Sequence, residues 1–414
     1  MTNRFRLGID IGGTFTDFSL MDEESGRLRV FKTPSTPSQP QRAVVNGIEG
    51  IVAEFGVAAA AIGYFVHGTT IAVNTVIERS GARTGILVTR GVRDLMTLGR
   101  SRLADTYSFL VERPEPLVPR HLVREIEERT LANGRVYQTL DEEQVRREAK
   151  ALHLAGVEAL AICFLHSYKN PEHEERARAI VAEACPGLYV CISSEVWPQM
   201  REYERALATL INAHVGPRMD AYFDRLLTEV SATGVAANVF STKSNGGIMT
   251  VPSARRVPVQ TLVSGPAAGV IGAQYVGRLA GFDKLFGLDM GGTSTDVAVV
   301  DGEILYSTDN TVGDFQVVLP AVDVSSIGAG GGSIAWTDTS GVLKVGPKSA
   351  GASPGPACYG LGGEQPAITD AYVVLGIVDP DNFLGGRMRL RPDLAHHSVG
   401  RIADVLGVTV VEAA

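Results

Sequence analysis

The chain has 414 residues, enough for two or more domains with a substantial core. Its 38 Lys and Arg against 46 Asp and Glu leave a net charge of −8, with no basic block, which argues against nucleic acid or an anionic membrane as main partner. No apolar run approaches the roughly 20 residues of a membrane span, no signal peptide is read, and Cys163, Cys185, Cys191 and Cys358 lack CxxC spacing, so a reduced cytoplasmic protein without disulfides is expected.

In chain order, residues 8–20 (GIDIGGTFTDFSL) come first: apolar strand, Asp, a Gly-Gly-Thr turn, a Thr-x-Asp step and a second apolar strand. A third strand is predicted at 27–32, a Pro-rich loop at 33–40, and a helix from a Ser38 cap to about residue 55. A short strand at 64–66 delivers His67 and a Gly-Thr-Thr turn, followed by a helix at 71–79 and a buried strand at 85–89. Residues 98–119 read as a long loop in which Arg100 and Arg102 are candidates for holding an anion.

A helix at 140–155, a continuous apolar strand at 157–165, a helix at 171–184 and a strand at 188–192 indicate an α/β domain with a largely parallel sheet. Residues 201–230 are helical, with a break expected at Gly216-Pro217. On that helix Arg201, Glu202, Glu204 and Arg205 read as an ion-paired surface face. A strand at 238–242 and a helix at 266–279 lead to the strand that opens a second hairpin. Beyond residue 301 the chain turns Gly-rich and strand-poor, with helices expected near 369–375 and 392–406 and a strand at 408–411.

That second hairpin, residues 287–300 (GLDMGGTSTDVAVV), repeats the first. Glycines let backbone N–H groups approach a phosphate, threonine hydroxyls add donors, and an Asp can hold a hydrated Mg²⁺. The candidate nucleotide-binding residues are therefore Gly12, Gly13, Thr14 and Thr16 in the first turn and Gly291, Gly292, Thr293 and Thr295 in the second. Asp10 and Asp289 are the candidate metal ligands and catalytic carboxylates; Asp17 and Asp296 are read either as caps for amides of their own turns or as ligand contacts. Gly330, Gly331 and Gly332, beside Ser333, form a candidate backbone cradle for phosphate or ribose. His67 is a candidate catalytic residue at a strand-to-helix turn, and Lys243 with Asn245 a candidate contact to phosphate or substrate. No zinc-type cluster, Walker A motif, hydrolase elbow or activated thiol is found.

The paired Asp-x-Gly-Gly-Thr hairpins resemble the phosphate loops of the actin, Hsp70 and sugar-kinase superfamily. HGTTIAVNTVIERSGA (67–82), REYERALATLINAHVGP (201–217), SGPAAGVIGA (264–273), SIGAGGGSIAW (326–336) and VGPKSAGASPGPACYG (345–360) narrow the resemblance to the A-type, ATP-binding subunit of the hydantoinase/oxoprolinase family. It implies an α/β fold of duplicated actin-like (ribonuclease H-like) domains with an inserted α/β domain, the second actin-like half incomplete in a chain shorter than the family's. Residues 1–200 would hold the first phosphate loop and 201–414 the second with the Gly-rich loops.

The activity so implied is ATP- and Mg²⁺-dependent hydrolysis of a cyclic amide, with a B-type subunit as partner. A subunit of an acetone- or acetophenone-type carboxylase and a non-catalytic, nucleotide-responsive assembly module are the alternatives.

Overall fold

The alternation around Asp10 folds as a hairpin because one of its faces is apolar throughout. In β1 (Phe5–Ile11) and β2 (Phe15–Asp22), Leu7, Ile9, Ile11, Phe18 and Leu20 are each 5% exposed or less. The structure is a computed structural model that describes residues 4–36, 39–100 and 115–414, so the expected Ser38 cap and Arg102 lie outside the described residues. A third antiparallel strand, β3 (Leu28–Pro34), pairs with β2, and α1 (Pro40–Phe55) packs across β2 and β3.

On the other side of β1 lies β4 (Ile62–Thr69), parallel to it and leading through Thr70 into α2 (Ile71–Ile77). Beyond β4 come β5 (Thr84–Thr89), β6 (Val123–Ile126), β7 (Ala159–Cys163) and β8 (Tyr189–Ile192), which form a separate all-parallel sheet in the order β8-β7-β5-β6. The apolar run at 157–165 is its central strand, with Ala159 to Ile162 inaccessible to solvent, as burial on both faces requires. Helices α3 (Glu142–Leu154) and α4 (Glu172–Ala184) pack against each other beside this sheet.

The long helix α5 (Glu202–Ala232) packs on both sheets and joins them into one core. It runs through Pro217 without the expected break: residues 204–216 are buried without interruption, and this packing outweighs the hydrogen bond the proline removes. The chain then returns to the first sheet with β9 (Val239–Thr242), parallel to β4, and β10 (Ile248–Thr250), giving the order β10-β9-β4-β1-β2-β3. Strand pairing thus crosses residue 200, where the motifs divide.

A second hairpin sheet follows. Helix α6 (Ser264–Leu279) precedes β11 (Lys284–Met290) and β12 (Thr295–Asp301), and β12 also pairs with β13 (Ser325–Ile327). Ala267 and Val270 of α6 pack on Ala298 and Val300 of β12. The segment expected to be strand-poor contains several short antiparallel pairs, among them β14 (Ser333–Thr337) with β15 (Leu343–Ser349). Helices α7 (Ile368–Val374) and α8 (Pro392–Leu406) come next. The strand expected at 408–411 is instead a helical turn, Val410–Ala413. Thr409 and Glu412 form a reciprocal capping box there, which overrides the β preference of Val408, Val410 and Val411.

Candidate functional site

Both hairpins place two carboxylates directly opposite each other. Asp10 pairs in register with Asp17 across β1 and β2, and Asp289 with Asp296 across β11 and β12. Like charges in such pairs are destabilising, so their duplication marks a feature kept for something other than the fold. In each case a side chain of the third strand pairs with only the second member. Lys32 of β3 lies 2.9 Å from the Asp17 carboxylate, and Ser326 of β13 donates its hydroxyl to Asp296. Asp17 and Asp296 therefore do not cap their own turns; the strand next door takes them instead. Burial raises the Asp296 pKa, its Ser326 hydrogen bond opposes that, and the charge of Asp289 adds to it.

The two turns meet tip to tip. A Cβ added to Gly292 would lie 2.2 Å from Thr14 Oγ1, and one on Gly13 would lie 3.9 Å from Thr293 Oγ1. Only a glycine at 292 admits this approach. The amides of Gly13, Thr14, Gly292 and Thr293 have no partner among the described residues, nor do the hydroxyls of Thr14 and Thr293. Each tip thus offers two backbone donors and one hydroxyl. Gly12 and Gly291 spend their amides closing the turns onto Phe15 and Ser294. The other two threonines are braces, not donors to a ligand. Thr16, fully buried, shares a 2.9 Å hydrogen bond with Ser35, whose hydroxyl donates to the Gly12 carbonyl at 2.7 Å. Thr295 donates to the Ala329 carbonyl at 2.5 Å.

Asp10 lies beneath the first tip on the sheet face that meets the start of α6. A Cβ on Gly265 would stand 3.0 Å from its Oδ1, and one on Gly68 would stand 3.3 Å away. Oδ1 is buried and has no hydrogen-bond partner among the described residues. Burial raises the Asp10 pKa to about 6, helped by the charges of Asp17, Asp289 and Asp296 and opposed by Lys32. A buried, unpartnered carboxylate oxygen among further carboxylates fits a cation. Among the described residues no three His, Cys, Asp or Glu side chains gather as a metal cage. A hydrated Mg²⁺ that completes its shell with water and phosphate oxygens matches this donor set.

The Gly-rich loop has a different place from the one expected. Gly331 N donates to Gly291 O at 2.9 Å, Gly332 N to Gly292 O at 2.6 Å, and Gly330 N to the Ser333 hydroxyl at 2.9 Å. All three amides are engaged inside the protein, so in this structure the loop buttresses the second tip rather than cradling phosphate. Thr369, at the start of α7, clamps it from behind, donating its hydroxyl to Gly331 O at 2.8 Å.

His67 does not join Asp10. It pairs in register with Ile9 and so points to the opposite face of the sheet, where Tyr222 and Phe223 of α5 lie 5.8 and 5.7 Å away, centroid to centroid. It is fully buried, neither ring nitrogen has a partner among the described residues, and burial lowers its pKa to about 4. This is a neutral core imidazole; the period of two that aims Asp10 at α6 aims His67 at α5.

The expected ion-paired face of α5 is also different. Glu204 pairs with Arg100, more than a hundred residues earlier in the chain, with Nε to Oε1 at 2.7 Å. Arg205 is 1% exposed and donates to Ser193 Oγ, Gln199 O and Phe164 O at 3.0, 3.0 and 2.7 Å. Lys243 borders a separate cleft with Arg256 and Gln260, and Asn245 closes its own turn by accepting from Gly247 N. The bracing residues Lys32, Ser35 and Gly265 went unassigned, although Gly265 stood in a recognised motif (SGPAAG).

Comparison with known proteins identifies the family of the chain. Residues 6–185 match the family model for the hydantoinase/oxoprolinase N-terminal region, and residues 205–414 match the one for hydantoinase/oxoprolinase. Caprolactamase subunit alpha of Pseudomonas jessenii is 38% identical over 99% of this chain. 5-Oxoprolinase 1 of Arabidopsis thaliana is 33% identical over 92% of it. The nucleotide-free structure of acetone carboxylase superposes over 99% of the chain with a TM-score of 0.87 at 33% identity, and so shares its mixed α/β fold. The chain spans 60% of the caprolactamase subunit, 60% of the acetone carboxylase chain and 32% of the oxoprolinase. Among the described residues no helix is long and apolar enough to cross a membrane.

Proposed function

Because the chain belongs to the hydantoinase/oxoprolinase family, we propose that it is the ATP-binding component of an ATP-dependent cyclic amidase of the hydantoinase or 5-oxoprolinase type. In this reading the two hairpin sheets are the related halves of an actin-like fold and grip one nucleotide between them. The observation that carries it is the pair of facing tips, each with two amides and a threonine hydroxyl that have no partner among the described residues, above an Asp that no side chain of the third strand hydrogen-bonds.

An unactivated amide resists water because resonance stabilises its carbonyl. Transfer of the γ-phosphoryl group of ATP to the amide oxygen makes the carbon electrophilic and releases ADP. Water then adds at that carbon, and the ring C–N bond breaks with its electron pair leaving on the nitrogen, which takes up a proton. A second water hydrolyses the resulting acyl phosphate to the carboxylate and phosphate. In such a transfer charge spreads over the moving oxygens, and catalysis consists of positioning and electrostatic stabilisation. The amides of Gly13, Thr14, Gly292 and Thr293 and the hydroxyls of Thr14 and Thr293 hold phosphate oxygens from both sides. Asp10 and Asp289 would hold Mg²⁺, which when bound neutralises phosphate charge. Closure of one tip on the other excludes water from the phosphoryl step. A B-type partner supplies the remaining amide chemistry.

The close superposition on acetone carboxylase supports a second reading, a carboxylase component in which ATP activates a ketone or bicarbonate. Phosphate release with the partner subunit present, stimulated by a cyclic amide and not by a ketone with bicarbonate, supports the amidase. The reverse result supports the carboxylase. Stimulation by neither removes both and leaves a nucleotide-responsive module.

A further inference from the structure

A cleft of about 430 Å³ opens beside the first tip, on the α5 side of the sheet. Gly12 and Gly13 form one end, so a ligand here lies against the turn that would hold the transferred phosphoryl group, at the carboxyl ends of parallel β1 and β4. The volume is that of a small-molecule site. Ile11, Ile71 and Ala221 give it an apolar wall suited to a compact ring.

Its charge runs against that of the molecule. In a chain of net charge −8, this cleft is lined by two arginines, Arg218 and Arg225, against one carboxylate, Glu78. The arginines stand two turns apart on α5. Arg218 donates to Ser80 Oγ at 2.9 Å, and the Ser80 hydroxyl in turn donates to Glu78 at 3.3 Å, so these three are linked to one another. Arg225 has no hydrogen-bond or ion-pair partner among the described residues. Asn74 also lines the cleft; it donates one amide N–H to Thr70 Oγ1 at 3.4 Å and keeps its carbonyl oxygen as an acceptor.

We propose that this cleft binds the acyl substrate and that Arg225 selects substrates carrying a carboxylate in addition to the reacting amide. The amide oxygen sits at the Gly12–Gly13 end, the ring N–H faces the Asn74 carbonyl, and the carboxylate meets the planar fork of Arg225, a bidentate partner for it. The proposal rests on the nucleotide reading of the hairpins. It separates a carboxylated ring from a neutral lactam, which has nothing for Arg225 to hold, and from a ketone, which has no N–H for Asn74.

The test is calorimetric titration of the whole chain, saturated with Mg²⁺ and a non-hydrolysable ATP analogue, with 5-oxoproline, with its decarboxylated analogue 2-pyrrolidone, and with bicarbonate. Tighter binding of 5-oxoproline than of 2-pyrrolidone is expected, by about 10-fold or more, the scale of one hydrogen bond to a charged group. Arg225→Gln should erase that difference while leaving affinity for the ATP analogue unchanged. Equal binding of the two amides to the wild type, a preference that survives in Arg225→Gln, no binding of either amide, or Arg225-dependent binding of bicarbonate alone would each overturn the proposal. Failure of the ATP analogue to bind the wild type refutes instead the nucleotide reading on which it stands.

Discussion

Asp10→Asn removes a charge that the fold tolerates badly and the proposed function needs. The Asp10 carboxyl is raised from 3.8 to about 6 by burial and neighbouring carboxylates. A shift of about two pH units corresponds to at most ~3 kcal/mol. A carboxyl whose folded pKa lies above its unfolded value contributes stability that is fully present below the unfolded value. That contribution is lost as pH rises through the folded one, here between about pH 4 and pH 7. His67 acts in the opposite sense. Its pKa, lowered from 6.5 to about 4 by burial, contributes stability above the unfolded value that is lost as pH falls towards the folded one. The two nearly cancel in the profile of the wild type, so the informative quantity is the difference between Asp10→Asn and wild type in urea denaturation at each pH. The variant should match the wild type near pH 4 and exceed it by up to ~3 kcal/mol at pH 7.5. In the same variant Mg-ATP affinity should fall about 100-fold, the scale of one lost buried charge contact. An unchanged stability difference across pH together with undiminished nucleotide affinity would refute the reasoning.

Gly330→Ala places a methyl 2.7 Å from both Gly291 O and Thr293 N, backbone atoms that cannot turn away. The loop must lift from the second tip and lose the Gly331 and Gly332 hydrogen bonds, about 1 kcal/mol each, with weaker ATP binding by titration and unchanged helix content by circular dichroism. His67→Leu should retain nucleotide binding and cost less than ~1.5 kcal/mol, since it replaces an unpartnered core ring by an aliphatic side chain; abolished binding with an intact fold would show that the ring acts in the site. Arg205→Ala strips three hydrogen bonds from a buried network around Ser193 and Phe164 and should lower stability by ~3–5 kcal/mol, read from the denaturation midpoint. Cys163 and Cys191, buried and pushed up to about 11 and about 12, should resist thiol reagents at pH 8 until denaturant is added.

Sequence alone determined whatever depends on neighbours a few residues away. The duplicated hairpins, the strand at 157–165 and the long helix after residue 201 all follow from apolar period, and the two tips from glycine, threonine and aspartate in fixed order. The Thr409–Glu412 capping box was equally local but was hidden under a run of valines. Tertiary structure decided which of these polar groups are spare. Nothing within residues 8–20 shows that Thr16 is consumed by Ser35 while Thr14 is not, or that Lys32 takes Asp17 and leaves Asp10. The Gly330–Gly332 amides look like a phosphate cradle until the second hairpin, some forty residues earlier, is seen to occupy them. The face on which His67 lands depended on its register with Ile9 across almost sixty residues of chain. Local sequence sets which groups are present and how often they recur along an element; the hydrogen bonds that use some of them up are long-range, and only the folded chain distributes them.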